Sequence, residues 1–123
     1  MKMTENNNEK GSQGEEIACA YLVKHGYTIL EKNWRYKHLE IDIIASNNNT
    51  LVIVEVKQRS SNFYGNPQEF VTKSKQKKLI KAADQYIKTN TINWETRFDI
   101  IAIINNSNEL KVDHLVDAFY AGL

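Results

Sequence analysis

The chain has 123 residues, of which 41% are hydrophobic and 25% are charged, the composition of an ordinary globular protein. This length supports one domain with a sizeable core and is short for two. The formal net charge of +1 excludes a strong overall attraction to nucleic acid, so any basic binding surface must be local.

The N-terminal segment from Met1 to about Ser12 is polar, rich in asparagine and without periodicity. It predicts a disordered lead-in to a single domain over residues 13–123. The segment has no apolar signal-peptide core, and the longest apolar run near it, residues 17–23, is far shorter than a membrane span. Because the single cysteine, Cys19, also fits a reducing compartment, we expect a cytoplasmic protein with no membrane partner.

A helix is predicted from about Gln13 to His25. Acids stand in its first turn, Lys24 stands in its last turn, and Gly26 follows as a stop signal. The ordinary role of the acids Glu15 and Glu16 is to complement the helix dipole. Helical spacing puts both of them above apolar residues and does not decide which one faces the rest of the domain.

A first strand is predicted from Tyr27 to Tyr36, and a hairpin follows from Leu39 to Arg59. Its two apolar runs flank Asn47–Asn49, and asparagine tolerates the left-handed backbone angles of tight hairpin turns. Because side chains alternate along a strand, one face of the first hairpin strand is expected to carry Leu39, Ile41, Ile43 and Ala45.

The other face of the hairpin carries charged residues. With a turn at Asn48–Asn49, Asp42 would face Glu55, and Glu40 would face Lys57. Opposed like charges destabilise a sheet, so the two carboxylates require a cation between them. Two interpretations stay open: a solvated face on which Lys57 bridges the acids, and a half-buried site, which the apolar residues nearer the turn favour.

Clustered carboxylates beside a lysine, without a histidine or cysteine cluster, suit a hard divalent ion such as Mg²⁺ or Mn²⁺. Asp42 and Glu55 would supply the charge that holds the ion, and Glu40 or a helix carboxylate could complete its coordination. Lys57 could orient or activate a water molecule for attack on a phosphate. The three histidines have no metal-ligand spacing, so a zinc site is not expected.

A loop is predicted over Ser60–Phe70, which carries the only proline, and Thr72 is a suitable N-cap for a helix to about Thr89. The apolar stripe of this helix is formed by Leu79, Ala82, Ala83, Tyr86 and Ile87. Five lysines crowd its first half: Lys73, Lys75, Lys77, Lys78 and Lys81. Lysines there oppose the helix dipole, so they indicate either a solvated face or a phosphate-binding surface.

The C-terminal part begins with a strand over Arg97–Ile104, in which Asp99 is expected to be a hydrogen-bonded structural residue. A turn at Asn105–Asn108, a short strand over Leu110–Val112 and a helical turn over His114–Tyr120 follow. The predicted order is therefore helix, three strands, helix, two strands. This order indicates an α/β (α+β) fold with a mixed β-sheet flanked by helices.

The step from Asp42 to Glu55-Val56-Lys57 resembles the D…ExK signature of the PD-(D/E)XK nucleases, the restriction-endonuclease-like superfamily. Longer stretches resemble the YraN family of bacterial proteins: GSQGEEIACAYLVKHGYTILEKNWR, EIDIIA, VIVEVKQR, FYGNPQEFVTKSK, RFDIIAI and HLVDAF. The resemblance covers about residues 11–119. The family is similar in pattern to archaeal Holliday-junction resolvases.

This resemblance implies a three-layer restriction-endonuclease-like fold and a Mg²⁺- or Mn²⁺-dependent endonuclease that acts on DNA, including branched DNA. It implies Asp42 and Glu55 as metal ligands, Lys57 as the catalytic lysine and Glu15 as a helix-borne catalytic acid. Glu15 and Glu40 are further candidates for the metal coordination.

The phosphates of the DNA would be contacted by Arg59, Lys73, Lys75, Lys77 and Lys78. Two other functions stay open, because a fold does not determine a function. One is a non-catalytic nucleic-acid-binding or DNA-repair accessory module of the same fold, and the other is a protein-interaction scaffold. A homodimer would suit a two-stranded substrate, although no sequence feature establishes one.

Overall fold

The computed structural model describes residues 5–59, 71–105 and 108–120, with side chains from Gln13 onward except that of Arg59. The predicted loop over Ser60–Phe70 lies outside these residues. The elements are α1 (Glu5–Lys24), β1 (Thr28–Tyr36), β2 (Leu39–Asn47), β3 (Thr50–Arg59), α2 (Lys73–Asn90), β4 (Glu95–Asn105) and β5 (Leu110–Phe119). Their order and the α+β class agree with the sequence prediction.

The five strands form one mixed sheet in the order β1-β2-β3-β4-β5. β3 and β4 are parallel neighbours and are connected through α2, whereas the other neighbours are antiparallel. The turn between β2 and β3 is Asn48–Asn49, and both residues have the positive φ angles that the sequence predicts. The predicted register also holds, from Asn47–Thr50 at the turn to Ile43–Val54.

A helix covers each face of the sheet. In β3, Leu51 and Ile53 belong to a core that α2 covers, whereas Val52 and Val54 belong to a core that contains Ala18 of α1. Successive residues of a strand point to opposite faces, so α1, the sheet and α2 form three layers. This arrangement confirms the predicted mixed sheet flanked by helices.

The alternate apolar side chains of β2 do not all lie on one side of the sheet, so the prediction of a single apolar face was wrong. Leu39 and Ile41 pack in the core beneath α2, whereas Ile43 and Ala45 pack in the core beneath α1. The change falls between Ile41 and Ile43, at Asp42.

The residue of β1 across from Asp42 is Asn33, which lies between the residues that pair with Ile41 and Ile43. Asn33 has a φ angle of 53°, in the left-handed region that asparagine adopts more readily than most residues. A left-handed residue of β1 therefore stands across from the point at which the side chains of β2 change faces. Asp42 therefore lies at an irregular point of the sheet.

The C-terminal strand differs from the prediction. β5 runs from Leu110 to Phe119, so the short strand over Leu110–Val112 is extended and the helical turn over His114–Tyr120 was wrong. Its pairing with β4 contains a register shift, and Asp117 nearby has a φ angle of 58°. Such an irregularity breaks the two-residue period, which explains why this segment does not look like a strand in the sequence.

α1 begins at Glu5, before the predicted start of the helix at Gln13. A nucleated helix gains one hydrogen bond for each added residue and can extend beyond its packed part. α2 begins after its predicted N-cap, because the hydroxyl of Thr72 accepts a hydrogen bond of 3.1 Å from the Lys75 amide. Neither described helix has the length and apolarity needed to cross a membrane.

Candidate active site at the ends of β2 and β3

Two acidic side chains from neighbouring strands form the centre of the candidate site. Asp42 and Glu55 stand just beyond the last paired residues of the β2–β3 ladder, Ile43 and Val54. The amide of Val56 donates a hydrogen bond of 2.8 Å to Asp42 Oδ2. The Asp42 carboxylate thus joins β2 to β3 at Val56, beyond the point where the ladder between the two strands stops.

Both acids are removed from bulk water. Glu55 is 5% exposed, and burial raises its pKa to about 7, with the negative charge of Asp42 adding to the effect. Burial also raises the pKa of Asp42, against the hydrogen bond from Val56 and the charge of Lys75. Two carboxylates that repel each other in a poorly solvated place are stabilised by a cation between or beside them.

Two ammonium groups face Glu55. Lys57 Nζ and Lys75 Nζ each lie 3.7 Å from Glu55 Oε2. Lys57 follows two residues after Glu55 on the same strand, so the two-residue period brings it to this face as predicted. Lys75 comes from the first turn of α2, which the sequence prediction assigned only to phosphate contacts. One signal could have placed it here, because Lys75 precedes the buried Leu79 by one helical turn.

The remaining lysines of the first half of α2 point to solvent: Lys73, Lys77, Lys78 and Lys81. They lie on the same helix as Lys75 but are exposed, whereas Lys75 faces Glu55. The side chain of Arg59, predicted to contact phosphates, lies outside the described residues.

α1 meets β3 beside the site at a glycine. Gly14 is buried, and a Cβ atom at this position would meet Gln58 Oε1 of β3. A side chain here would displace the end of the Gln58 side chain. The next residue, Glu15, is half-buried against the sheet, whereas Glu16 is exposed. The structure thus decides between the two acids that helical spacing left equivalent.

Glu15 lies close enough to β2 for the charged residues of that strand to shift its pKa. Burial raises the pKa of Glu15, and the negative charges of Asp42 and Glu40 add to this effect, while a hydrogen bond with the Asn33 side chain opposes it. Asn33, which stands across from Asp42, therefore also binds Glu15. The hydrogen bond between Glu15 and Asn33 therefore connects α1 to the irregular point of the sheet.

Glu40 lies at the rim of the site. Its strand partner is Arg35 of β1, and their side chains form an exposed ion pair of 3.2 Å. The predicted pairing of Glu40 with Lys57 is beyond the end of the β2–β3 ladder. The charge of Glu40 still acts on Asp42 and Glu15, whose pKa values it raises.

The acids are oxygen donors of the kind that Mg²⁺ and Mn²⁺ prefer. In the described part of the chain, no three His, Cys, Asp or Glu side chains are grouped so as to hold an ion. A full protein cage is not required for Mg²⁺, which is commonly held by one or two carboxylates together with substrate phosphates and water. Asp42 and Glu55 meet this requirement, and the ammonium groups beside Glu55 show that positive charge is accommodated there.

A second buried acid, Asp99 of β4, has a different environment. It accepts hydrogen bonds from both Arg97 Nε and Nη2, from the Asp117 amide and from His114 Nε2, at 2.7–2.9 Å. These partners come from β4 and β5, so Asp99 joins the last two strands. The prediction that it is a hydrogen-bonded structural residue is confirmed.

Comparison with known proteins places this site within one family. The model of the uncharacterised protein family UPF0102 matches residues 14–103. A UPF0102 protein of Flavobacterium psychrophilum is 49% identical over 113 residues, which cover 92% of this chain and 95% of the relative. A UPF0102 protein of Bacteroides thetaiotaomicron is 47% identical over 116 residues, covering 94% and 96%.

A UPF0102 protein from Chlorobium phaeobacteroides is 48% identical over 118 residues, which cover 90% of this chain and 93% of the relative. The matched region begins at Gly14 and includes Glu15, Asp42, Glu55, Lys57 and Lys75. The family resemblance that the sequence motifs indicate is thereby confirmed. This chain belongs to the uncharacterised protein family UPF0102.

Proposed function

We propose that this protein is a metal-dependent endonuclease that hydrolyses phosphodiester bonds of DNA, including branched or structured DNA. The observation that carries the proposal is the pair Asp42 and Glu55, two poorly solvated carboxylates from adjacent strands, with two lysine ammonium groups 3.7 Å from Glu55. Acids and lysines in this combination can bind a divalent ion and a phosphate together.

Asp42 and Glu55 would hold a Mg²⁺ or Mn²⁺ ion, and such an ion lowers the pKa of bound water and neutralises phosphate charge. Lys57 stands beside Glu55 and is placed to donate a hydrogen bond to the attacking water or to a phosphate oxygen. Lys75 supplies a second positive charge, which stabilises the charge that develops on the phosphate. Glu15 is placed to accept a hydrogen bond from water near Asp42.

The exposed lysines of α2 would bind phosphates farther along the DNA: Lys73, Lys77 and Lys78. Such contacts position the substrate but carry no sequence information. Because the net charge of the chain is only +1, we expect binding that depends on this local surface and weakens steeply with salt. Arg59 completes the proposed phosphate contacts.

A second candidate is a nucleic-acid-binding or DNA-repair accessory module that does not cleave. The observation that favours it is that two ammonium groups, those of Lys57 and Lys75, already lie 3.7 Å from Glu55 Oε2. A site satisfied in this way has less need of a divalent cation. This function predicts salt-sensitive DNA binding without hydrolysis.

The deciding experiment is a calorimetric titration with Mn²⁺ and Mg²⁺, followed by cleavage assays on linear, flapped and four-way DNA. We expect the wild type to bind metal and to cleave, and Asp42→Asn to lose both while its circular dichroism spectrum is unchanged. Asp84→Asn is the matched control, because Asp84 is an exposed acid on α2 whose partner is Lys88. DNA binding without metal binding or cleavage would favour the accessory module.

A further inference from the structure

Two aromatic rings lie parallel on β1, the strand whose Asn33 stands across from Asp42. The ring centroids of Trp34 and Tyr36 are 6.4 Å apart, and the ring planes differ by 8°. β1 is an edge strand with β2 as its neighbour in the sheet. A row of aromatic rings on the edge of a sheet is a surface on which flat ligands can stack.

The inner ring of this row is held in place by α2. Tyr86 meets the Trp34 ring in an edge-to-face contact with 5.3 Å between the centroids and 86° between the planes. The Tyr86 hydroxyl in turn donates a hydrogen bond of 3.4 Å to Glu31 of β1. Trp34 is therefore oriented by the core, and Tyr36 extends the row toward the end of the strand.

A cationic side chain contacts the outer ring. Lys37 Nζ lies 5.4 Å from the centroid of the Tyr36 ring, which is a cation–π contact. Arg35, between the two aromatic residues, has a side chain that is 74% exposed and forms an ion pair of 3.2 Å with Glu40. Aromatic rings interleaved with positive charges are the composition of surfaces that bind single-stranded nucleic acid.

Trp34 lies near Asp42 in the strand register and on the α2 side of the sheet. Trp34 directly follows Asn33, which stands across from Asp42. Trp34 also packs against the core beneath α2, the helix from which Lys75 reaches Glu55. A DNA strand with a base on this row would therefore pass close to the carboxylates.

We propose that Trp34 and Tyr36 form a stacking platform for an unpaired base of a DNA strand, next to the phosphate that is cleaved. This inference rests on the proposed function and specifies its substrate as DNA with unpaired bases beside the scissile bond. A base that stacks on Tyr36 replaces the Lys37 ammonium above the ring. Lys37 is then free to bind the phosphate of the same nucleotide.

The experiment measures DNA binding in EDTA, so that neither metal nor cleavage is required. The probes are a single-stranded oligonucleotide containing 2-aminopurine and a blunt duplex of the same sequence. We expect tighter binding of the single strand, and quenching of 2-aminopurine by stacking. Tyr36→Leu should weaken single-strand binding about tenfold or more, because stacking of one base on an aromatic ring accounts for an effect of this size.

Two further variants make the test specific. Tyr36→Phe keeps the ring and should retain affinity and quenching. Tyr120→Leu removes a tyrosine that is 60% exposed and follows β5, at the other edge of the sheet, and should change neither. Unchanged binding and quenching in Tyr36→Leu, or an equal loss in Tyr120→Leu, would overturn the platform.

The failure of this inference can be distinguished from failure of the proposed function. If Tyr36-dependent stacking occurs in EDTA but no metal-dependent cleavage is found, the platform stands and the catalytic proposal is refuted. If cleavage depends on Asp42 but the wild type prefers the blunt duplex, the nuclease stands and the platform is refuted.

Discussion

Lys75 Nζ lies 3.7 Å from Glu55 Oε2 and connects the first turn of α2 to the end of β3. α2 is the crossover between the parallel strands β3 and β4, so the topology of the sheet brings its N-terminal end back beside Glu55. Its first half therefore presents lysines in two directions. Lys75 is partly buried over the acids, while Lys77 and Lys78 are exposed to solvent.

Replacing Lys75 should affect the reaction more than the binding of DNA. We expect Lys75→Gln to lower kcat about 100-fold with a smaller change in KM, because a donor aimed at developing charge acts mainly in the transition state. Lys77→Gln is the matched control from the exposed side of the helix, and it should weaken DNA binding and reduce the salt slope without lowering kcat. Equal kinetic effects of the two substitutions would remove Lys75 from the active site.

The pH dependence of stability should depend on Glu55. Its pKa is raised from 4.5 to about 7 by burial, so the folded protein holds this proton more tightly than the unfolded chain. The contribution of Glu55 to the free energy of unfolding must therefore fall as the pH rises through this range.

Glu55→Gln has no carboxyl group to titrate at this position. Its free energy of unfolding relative to that of the wild type should therefore increase by on the order of 2 kcal/mol between about pH 5 and about pH 8. Urea unfolding at the two pH values measures the difference. Glu95→Gln, at an exposed position at the start of β4, should follow the wild type. If the free energies of unfolding of Glu55→Gln and of the wild type change with pH by the same amount, the pKa of Glu55 is not raised in the folded protein.

The sequence predicts those parts of the fold that depend on local chemistry. Asn48 and Asn49 mark the turn because asparagine tolerates positive φ, and the turn then sets the β2–β3 register. Thr72 marks the start of α2 because its hydroxyl can accept a backbone hydrogen bond. Each of these signals lies within a few residues of its effect.

The features that the sequence does not predict depend on contacts between distant segments. Asn33 in β1 and its partner Asp42 in β2 mark a change of faces that the alternation of either strand alone does not reveal. The pairing of β5 with β4 is irregular near Asp117, whose amide donates a hydrogen bond to Asp99 in β4. Lys75 reaches the acids only because α2 crosses back over the sheet. Tertiary contacts decide all three.

Asp99→Asn should destabilise the fold without acting on the candidate site. Burial raises the pKa of Asp99, but hydrogen bonds from His114 and Arg97 and from the Asp117 amide more than offset it, so the pKa lies below its usual value. Breaking such a buried ion pair costs about 3 kcal/mol of unfolding free energy at neutral pH.

The sign of this effect follows from the lowered pKa. A carboxyl of this kind stabilises the fold above its unfolded pKa of 3.8, and the contribution is lost as the pH falls through the folded value. The deficit of Asp99→Asn in urea unfolding should therefore shrink in acid. Asp113→Asn, a half-buried position on β5, should cost much less at neutral pH. A deficit that is the same at all pH values would mean that the charge of Asp99 does not contribute.

Glu15 and Glu16 provide a matched pair of substitutions on adjacent residues of α1. Glu15 is half-buried, is hydrogen-bonded to Asn33 and is repelled by Asp42, whereas Glu16 is exposed. We expect Glu15→Gln to lower metal-dependent cleavage about 10- to 100-fold, since it removes an acceptor beside the proposed water, and Glu16→Gln to leave it unchanged.

Stability provides an independent readout for the same pair. Because Glu15→Gln also removes the repulsion with Asp42, this variant should unfold at the wild-type temperature or above it, so its loss of activity cannot come from unfolding. Equal cleavage by the two variants would exclude Glu15 from the reaction. A lower unfolding temperature for Glu15→Gln would instead mean that its hydrogen bond with Asn33 outweighs the repulsion and that the residue serves to hold α1 on the sheet.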